Sequence, residues 1–386
     1  MDRRGTAFCI GVFLAARVSL SLLGWVGIQN ASPPPEGRPV EGVDAIQVPG
    51  SGRTEAATPG FHNVVDGTTR WDASWFLLIA ESGYSAEPAA AFFPGYPMAV
   101  RVIDELTPLG SLGAALLLSN TAFLFALIAL YRLSCDEYSE RIARRTVVLL
   151  TCFPTSFFFL APYSESLFLF SSVFAFASAR SGRWARGGIA GAVAWATRSI
   201  GATLVPALLL EAWTQGPPRG RRMAWALVPA AGLLGYLAWW WARTGDPLVP
   251  IAAQSDWHRE PMFPAITIGR AVAVGLQAFG DRLWLPEAGD VILGLAPLVV
   301  LVLGWKRLPA ASYTLYAALG FLIPLSFAIP ERPLLSLPRF VIVLFPIAWL
   351  AALGLEHQWR YRAVLLVSIS GWIGLSLGFM NWRFVA

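Results

Sequence analysis

Apolar windows separated by short, arginine-bearing loops limit what this chain can fold into more than any other feature. Residues 108–131 carry no charged side chain. Comparable runs fall near 7–29, 143–160, 162–179, 223–243, 288–304, 312–329, 339–355 and 362–380. Windows of about 18–25 apolar residues are long enough to cross roughly 30 Å of hydrocarbon. The chain is 56% hydrophobic and only 14% charged, against about 25% charged in a soluble domain. Its 17 tryptophans suit a protein with two membrane–water interfaces. The expectation is an all-α polytopic membrane protein. The net charge of +5 then reports topology and contact with membrane lipids. No nucleic-acid-binding motif is present, so no nucleic-acid partner is expected.

Residues 187–212 are ambiguous, with Arg198 at their centre. With the N-terminus inside, the basic loops 132–145 and 180–186 fall inside, as the positive-inside rule requires. A single crossing at 187–212 would leave Arg219, Arg221, Arg222, Lys306, Arg307, Arg360 and Arg362 outside. A hairpin that goes out and back puts all seven inside, and it spares Arg198 the cost of the bilayer centre. This reading gives about eleven membrane segments and one integral-membrane domain over 1–386. The outer loops are 30–107, 244–287 and 330–338. Arg198 and the turn at 162–165 point to the same face, so polar groups from five places converge there.

Residues 30–66, rich in Pro, Gly, Ser and Thr, read as a flexible lead. The Asn30-Ala31-Ser32 sequon within it carries little weight. Cys9, Cys135 and Cys152 lack metal-ligand spacing and predict no disulfide framework. The N-terminal Met-Asp-Arg-Arg followed by an apolar run reads as an uncleaved first span.

From Trp71 to Gly83, Trp71, Trp75, Leu78 and Ile79 follow a helical spacing, with Arg70, Ser74 and Glu81 toward the other side. Such a helix is about 20 Å long, too short to span, and is expected to lie at the interface. Gly83 ends it. Asp72 stands in its first turn. As a helix cap it would be merely structural; as a carboxylate beside aromatic walls it is a candidate general base. Arg198 and Arg339 are candidate phosphate ligands, because a guanidinium binds phosphate in bidentate fashion. The bland alternatives are an arginine that snorkels or pairs with Glu165 and a plain interface anchor. Ser164 reads as an N-cap or a substrate contact. Glu165 reads as a sugar or arginine contact, and Tyr163 as an interface aromatic or substrate contact. Trp71, Glu81 and Tyr96 complete the substrate-binding candidates. Arg17, inside the first span, is expected to be structurally paired. Asp256 to Glu260 reads as a solvated loop rather than a metal site.

Five motifs in order carry a resemblance. Trp71–Tyr84 (WDxxxxxxIAExGY), Phe92–Pro97 (FFPxYP), Pro162–Phe168 (PYSESLF), Ala196–Gly201 (ATRSxG) and Leu337–Phe340 (LPRF) resemble the bacterial relatives of GPI mannosyltransferase II. That PIG-V-like family belongs to the GT-C class of polytopic glycosyltransferases. The likeness extends over roughly residues 8–355. Gly95 and Ile200 depart from the pattern, where a larger and a polar residue are expected. The resemblance implies a GT-C-like fold and inverting transfer of mannose from a polyprenyl-phosphate donor to a lipid-linked or cell-envelope glycan acceptor. It places the catalytic acid, which Asp72 matches, in the first outer loop, and it implies no metal or other cofactor.

There is no P-loop, GxSxG, HExxH or Rossmann fingerprint. The lack of a nucleotide-sugar domain favours a donor that arrives laterally through the membrane. A lipid or polysaccharide flippase is the alternative, but it should show pseudo-symmetric halves and midplane helix breaks, whereas the polar groups here gather on one face. An inactive partner subunit is the third possibility, against which Asp72 and Arg198 count. A bacterial plasma membrane with the site on its extracytoplasmic face is the expected location.

Overall fold

The computed structural model describes residues 3–29, 65, 67–281, 286–381, 383 and 385. The expected flexible lead at 30–66, with its sequon, falls outside the described residues apart from Val65. The chain is a bundle of α-helices. Among the described residues four are long and apolar enough to cross a membrane: Arg3–Gly27, Gly110–Glu137, Ala288–Arg307 and Gln358–Met380. The pair Gly220–Leu227 and Ala230–Thr244 makes a fifth if its two arms, bent by 42°, form one span. Pro229 at the joint explains the bend, since it cannot donate to the preceding turn.

The expected count of about eleven is therefore not reached by length and composition. Each of the expected segments does contain helix, but several are short or broken. The run 143–160 is one: helix Glu140–Thr151 stops, and a 3-10 turn Ser156–Phe159 follows beyond Pro154. The run 339–355 splits into Leu337–Ile342 and Phe345–Gly354, each with a proline in its first turn.

The segment 187–212 turns back on itself. Helix Trp184–Thr197 ends at Arg198, whose backbone is extended, and a 3-10 turn Ser199–Thr203 leads into helix Leu204–Thr214. Two sets of contacts fix the direction of the arms. At the tip, Arg198 meets Glu165, the first residue of helix Glu165–Arg180. At the base, Glu211 meets Arg180, the last residue of that helix. The second arm therefore descends beside the helix that the first arm climbed. Gly201 permits the turn, because a Cβ there would stand 2.3 Å from the Trp195 Cα.

The base is clamped by charge. Arg180 donates through Nε and Nη2 to the two carboxylate oxygens of Glu137, at 2.6 and 3.0 Å, and through Nη1 to Glu211 at 3.0 Å. Tyr313 donates to Glu137 at 2.9 Å, and Ser312 to Glu211. This network ties four helices together at the end of the bundle away from Arg198.

Among the described residues two short strands interrupt the helices. Glu260–Pro261 pairs antiparallel with Phe327–Ala328, with Glu260 opposite Ala328 and Pro261 opposite Phe327. It fastens the second expected outer loop to the chain leading into the third. Arg17 is structurally paired, as expected: its Nη1 donates to the Leu160 carbonyl at 3.1 Å.

Candidate active site

Helix Asp72–Ser82 forms where its apolar spacing predicts, and Gly83 ends it with φ 69°, its N–H donating to Ile79. The helix is more enclosed than an interfacial one need be, since Ala73, Trp75, Phe76, Ile79 and Ala80 are all buried. Trp75 stacks on Phe92 at 5.9 Å and meets the edge of Trp257 at 5.6 Å. Phe76 packs against Phe92, Tyr96 and Tyr163. These aromatic contacts, rather than capping, hold the helix in place. The capping position belongs to Trp71, which makes no side-chain capping bond. The carboxylate of Asp72 is turned to other work.

That work is with arginine. Arg339 Nη1 donates to Asp72 Oδ2 at 2.8 Å, while its Nε and Nη2 donate to Glu165 Oε1 at 3.0 and 2.8 Å. Arg198 Nη1 lies 2.7 Å from the same Glu165 oxygen and donates to Ser164 Oγ at 3.0 Å. Glu165 thus holds two arginines, one of which also holds Asp72. The two acids differ in access: the Glu165 side chain is fully buried, whereas Asp72 is 26% exposed. Asp72 Oδ1 accepts no hydrogen bond among the described residues, which leaves a carboxylate oxygen open toward a ligand. Arg198 Nε is buried and also without a partner.

Aromatic rings floor the cluster. The Arg339 guanidinium lies 4.7 Å from the ring centres of both Phe158 and Tyr163. Tyr163 is fully buried and donates its hydroxyl to the Arg70 carbonyl at 2.6 Å. It is a wall of the cluster rather than an aromatic at a membrane interface. Phe340 lies beneath Arg198 at 4.9 Å.

A third arginine, read from the sequence as part of a solvated loop, reaches the same place. Arg259 places its guanidinium 5.8 Å from the centre of the same Phe340 ring that Arg198 contacts. Its half-buried guanidinium makes no ion pair or side-chain hydrogen bond with any described residue. Burial lowers its affinity for a proton, Asp72 opposes that, and Arg339 and Arg198 add to it. Two anchors bring the loop inward: Trp257 donates its indole N–H to Pro88 at 3.2 Å, and the short strand begins at Glu260. No signal in the sequence separates this arginine from its charged neighbours Asp256 and Glu260. Three guanidiniums against two carboxylates leave the cluster one positive charge in excess.

Backbone strain flanks the cluster. Among the described residues the non-glycine residues with positive φ are Trp71 at 57°, His258 at 53° and Ser336 at 67°. Trp71 and His258 immediately precede Asp72 and Arg259, and Ser336 stands three residues before Arg339. Such conformations cost on the order of 1–3 kcal/mol each and persist where surrounding structure enforces them.

Other candidates lie elsewhere or act differently. Ser164 precedes its helix but makes no capping bond, because its hydroxyl accepts from Arg198. Glu81 is exposed at the far end of its helix and accepts from Ser111. It stands about 13 Å along the axis from Asp72 at the usual helical rise, outside the cluster. Tyr96 is buried, with its hydroxyl sharing a 2.7 Å hydrogen bond with Ser119 and donating to the Ala115 carbonyl at 3.1 Å. It supports Phe76 and presents no face to a ligand. Gly95, where a larger residue was expected, is required by packing, since a Cβ would stand 2.7 Å from the Ala196 carbonyl oxygen. Ile200 is fully buried, in keeping with an apolar residue at that position.

Residues 55–210 match the family described as Mannosyltransferase (PIG-V). This stretch contains four of the five motifs together with Asp72, Ser164, Glu165 and Arg198. It is narrower than the likeness expected over 8–355, and Arg259 and Arg339 lie beyond it. GPI alpha-1,6-mannosyltransferase 2 of Rattus norvegicus is 38% identical over 156 residues, covering 38% of this chain and 32% of that protein. GPI mannosyltransferase 2 of Drosophila melanogaster is 30% identical over 119 residues, covering 28% of this chain and 26% of that protein. The matched stretch spans about a quarter to a third of the length of these curated relatives. The crystal structure of the Archaeoglobus fulgidus oligosaccharyltransferase in the apo form aligns with a TM-score of 0.45 at 12% identity, covering 96% of this chain and 56% of that one.

Proposed function

We propose that the chain is a GT-C-like membrane mannosyltransferase. It takes mannose from a polyprenyl-phosphate donor and passes it, with inversion, to a lipid-linked or cell-envelope glycan acceptor on the extracytoplasmic face of a bacterial plasma membrane. The observation that carries this reading is the assembly of Asp72, Glu165, Arg198, Arg259 and Arg339 from separate parts of the chain into one cluster with excess positive charge. The relatives' names supply the sugar, and the cluster supplies the chemistry.

In this scheme Asp72 Oδ1 takes the proton from the acceptor hydroxyl as that oxygen attacks the anomeric carbon of mannose. The bond to the donor phosphate breaks on the opposite face of the sugar. The leaving phosphate carries its own negative charge and needs a cation more than a proton. Arg259, with no ion pair or side-chain hydrogen bond to a described residue, and Arg198, with its Nε unpaired, have the most donors to offer it. Arg339 engages Asp72 and Glu165 through all three of its nitrogens, so its first role is to position the base. The phosphate contact expected of Arg339 from the sequence is thereby made secondary to this positioning role. Glu165, buried and doubly paired, positions the arginines.

A direct test supplies purified protein with radiolabelled polyprenyl-phosphate mannose and a panel of lipid-linked and glycan acceptors. The expected result is mannose transfer accompanied by stoichiometric release of polyprenyl phosphate. Wild-type protein that releases none across the panel would overturn the reading.

A further inference from the structure

At the opposite end of the bundle a second basic site is built around a cavity of about 420 Å³, within the roughly 300–1,000 Å³ range of small-molecule sites. Arg183, Trp184, Arg186, Arg221, Arg222 and Trp225 line it. No acidic residue does. The walls come from the start of helix Trp184–Thr197 and from helix Gly220–Leu227, and the two are in close contact, since a Cβ on Gly188 would stand 2.4 Å from the Trp225 carbonyl oxygen.

Two observations set this cavity apart from a set of arginines that merely obey the positive-inside rule. Arg222 is fixed, with Nη1 donating to the Gln215 and Gly216 carbonyls at 3.2 Å each. The side chains of Arg183, Arg186 and Arg221 make no ion pair or hydrogen bond with any described residue, so their charge is available to a ligand.

We propose that this cavity binds the phosphate-bearing headgroup of an anionic phospholipid. The chemistry required is an anion rich in acceptor oxygens, delivered at the arginine-rich end of the bundle beside the half-buried Trp225, whose indole suits a membrane–water boundary. Basic pockets between membrane helices are suited to such headgroups. The site is distinct from the Asp72 cluster. Helix Glu165–Arg180 has 16 residues and separates them by about 24 Å at the usual helical rise, so the bound lipid is not the sugar donor. Its place between the first hairpin arm and helix Gly220–Leu227 makes it a brace for the arm that ends at Arg198.

The test measures lipid retention by native mass spectrometry and thermal stability of the full chain, in neutral micelles supplemented with phosphatidylglycerol, cardiolipin or phosphatidylcholine. The expected result is selective retention of the anionic lipids and a higher Tm. Arg183→Gln/Arg186→Gln/Arg221→Gln should weaken retention at least tenfold, whereas Arg360→Gln/Arg362→Gln, exposed arginines outside the cavity, should leave it unchanged. Should the triple variant fail to fold, Arg221→Gln and Arg183→Gln serve singly, each expected to weaken retention severalfold. Equal retention of phosphatidylcholine, or equal loss in the Arg360/Arg362 control, would overturn the proposal. Glycerol 1-phosphate that raises Tm as much as the intact lipid would overturn the lipid assignment in favour of a free phosphate ligand.

Discussion

Arg339 and Asp72 stand 267 positions apart in the sequence, yet the guanidinium of one donates to the carboxylate of the other at 2.8 Å. The same arginine spends its other two donor atoms on Glu165. One side chain therefore fixes the orientation of an open carboxylate by gripping a closed one. This arrangement separates roles that the residue types alone do not distinguish, and each role has its own measurable consequence.

Asp72→Asn keeps a hydrogen-bond acceptor for Arg339 and removes the basic oxygen. General-base contributions run to about 100–10,000-fold, so mannose transfer should fall by that order while donor binding and Tm hold. Because Trp71 occupies the capping position, loss of a helix cap would not account for the defect. Near-normal transfer by the purified variant would reduce Asp72 to a structural partner of Arg339.

Glu165→Gln should act on stability first. It leaves Arg198 and Arg339 buried with far weaker partners, and breaking a buried ion pair costs about 3–5 kcal/mol. A marked drop in Tm is expected even without substrate. If Tm is unchanged and only transfer is lost, Glu165 is a ligand contact rather than a positioning group.

Arg259 makes no ion pair with any described residue, so Arg259→Gln should leave Tm nearly unchanged. A hydrogen bond to a charged group contributes about 1.5–3 kcal/mol, roughly 10–100-fold in affinity. The KM for the polyprenyl-phosphate donor should rise by that factor, with a smaller change in kcat. An unaltered donor KM would return Arg259 to the status of a loop residue.

Arg198→Lys keeps the charge but loses the planar fork. Donor use should weaken by about 1–3 kcal/mol, and the partnership with Glu165 should largely persist. Donor dependence equal to wild type would make Arg198 a structural anchor of the hairpin tip.

The hairpin also predicts sidedness. In a variant lacking Cys9, Cys135 and Cys152, Gly220→Cys should resist a membrane-impermeant thiol reagent applied from outside, while Ser255→Cys should label. Gly220 has open space around it and Ser255 is exposed, so each cysteine should be reactive from its own side. Outside labelling of Gly220→Cys would sink the assigned orientation.

The sequence by itself determined the helical class, the helix that begins at Asp72, and the reversal at Arg198. These follow from local quantities: apolar run length, helical spacing, and the cost of a charge set against the distribution of basic loops. It also singled out Asp72, Arg198, Glu165 and Arg339, because charged groups are conspicuous in so apolar a chain. Tertiary structure alone decided which of them touch. Glu81 has the same chemistry as Glu165 but sits on the exposed end of its helix beside Ser111. Arg259 resembles its charged neighbours until Trp257 and the Glu260–Pro261 strand draw it in. The strain at Trp71, His258 and Ser336 was likewise illegible, since nothing in those side chains favours a left-handed backbone. The physical reason is common to all three cases. Pairing between charges depends on distance across the fold, and that distance is set by aromatic packing and close helix crossings contributed by residues far away in the chain.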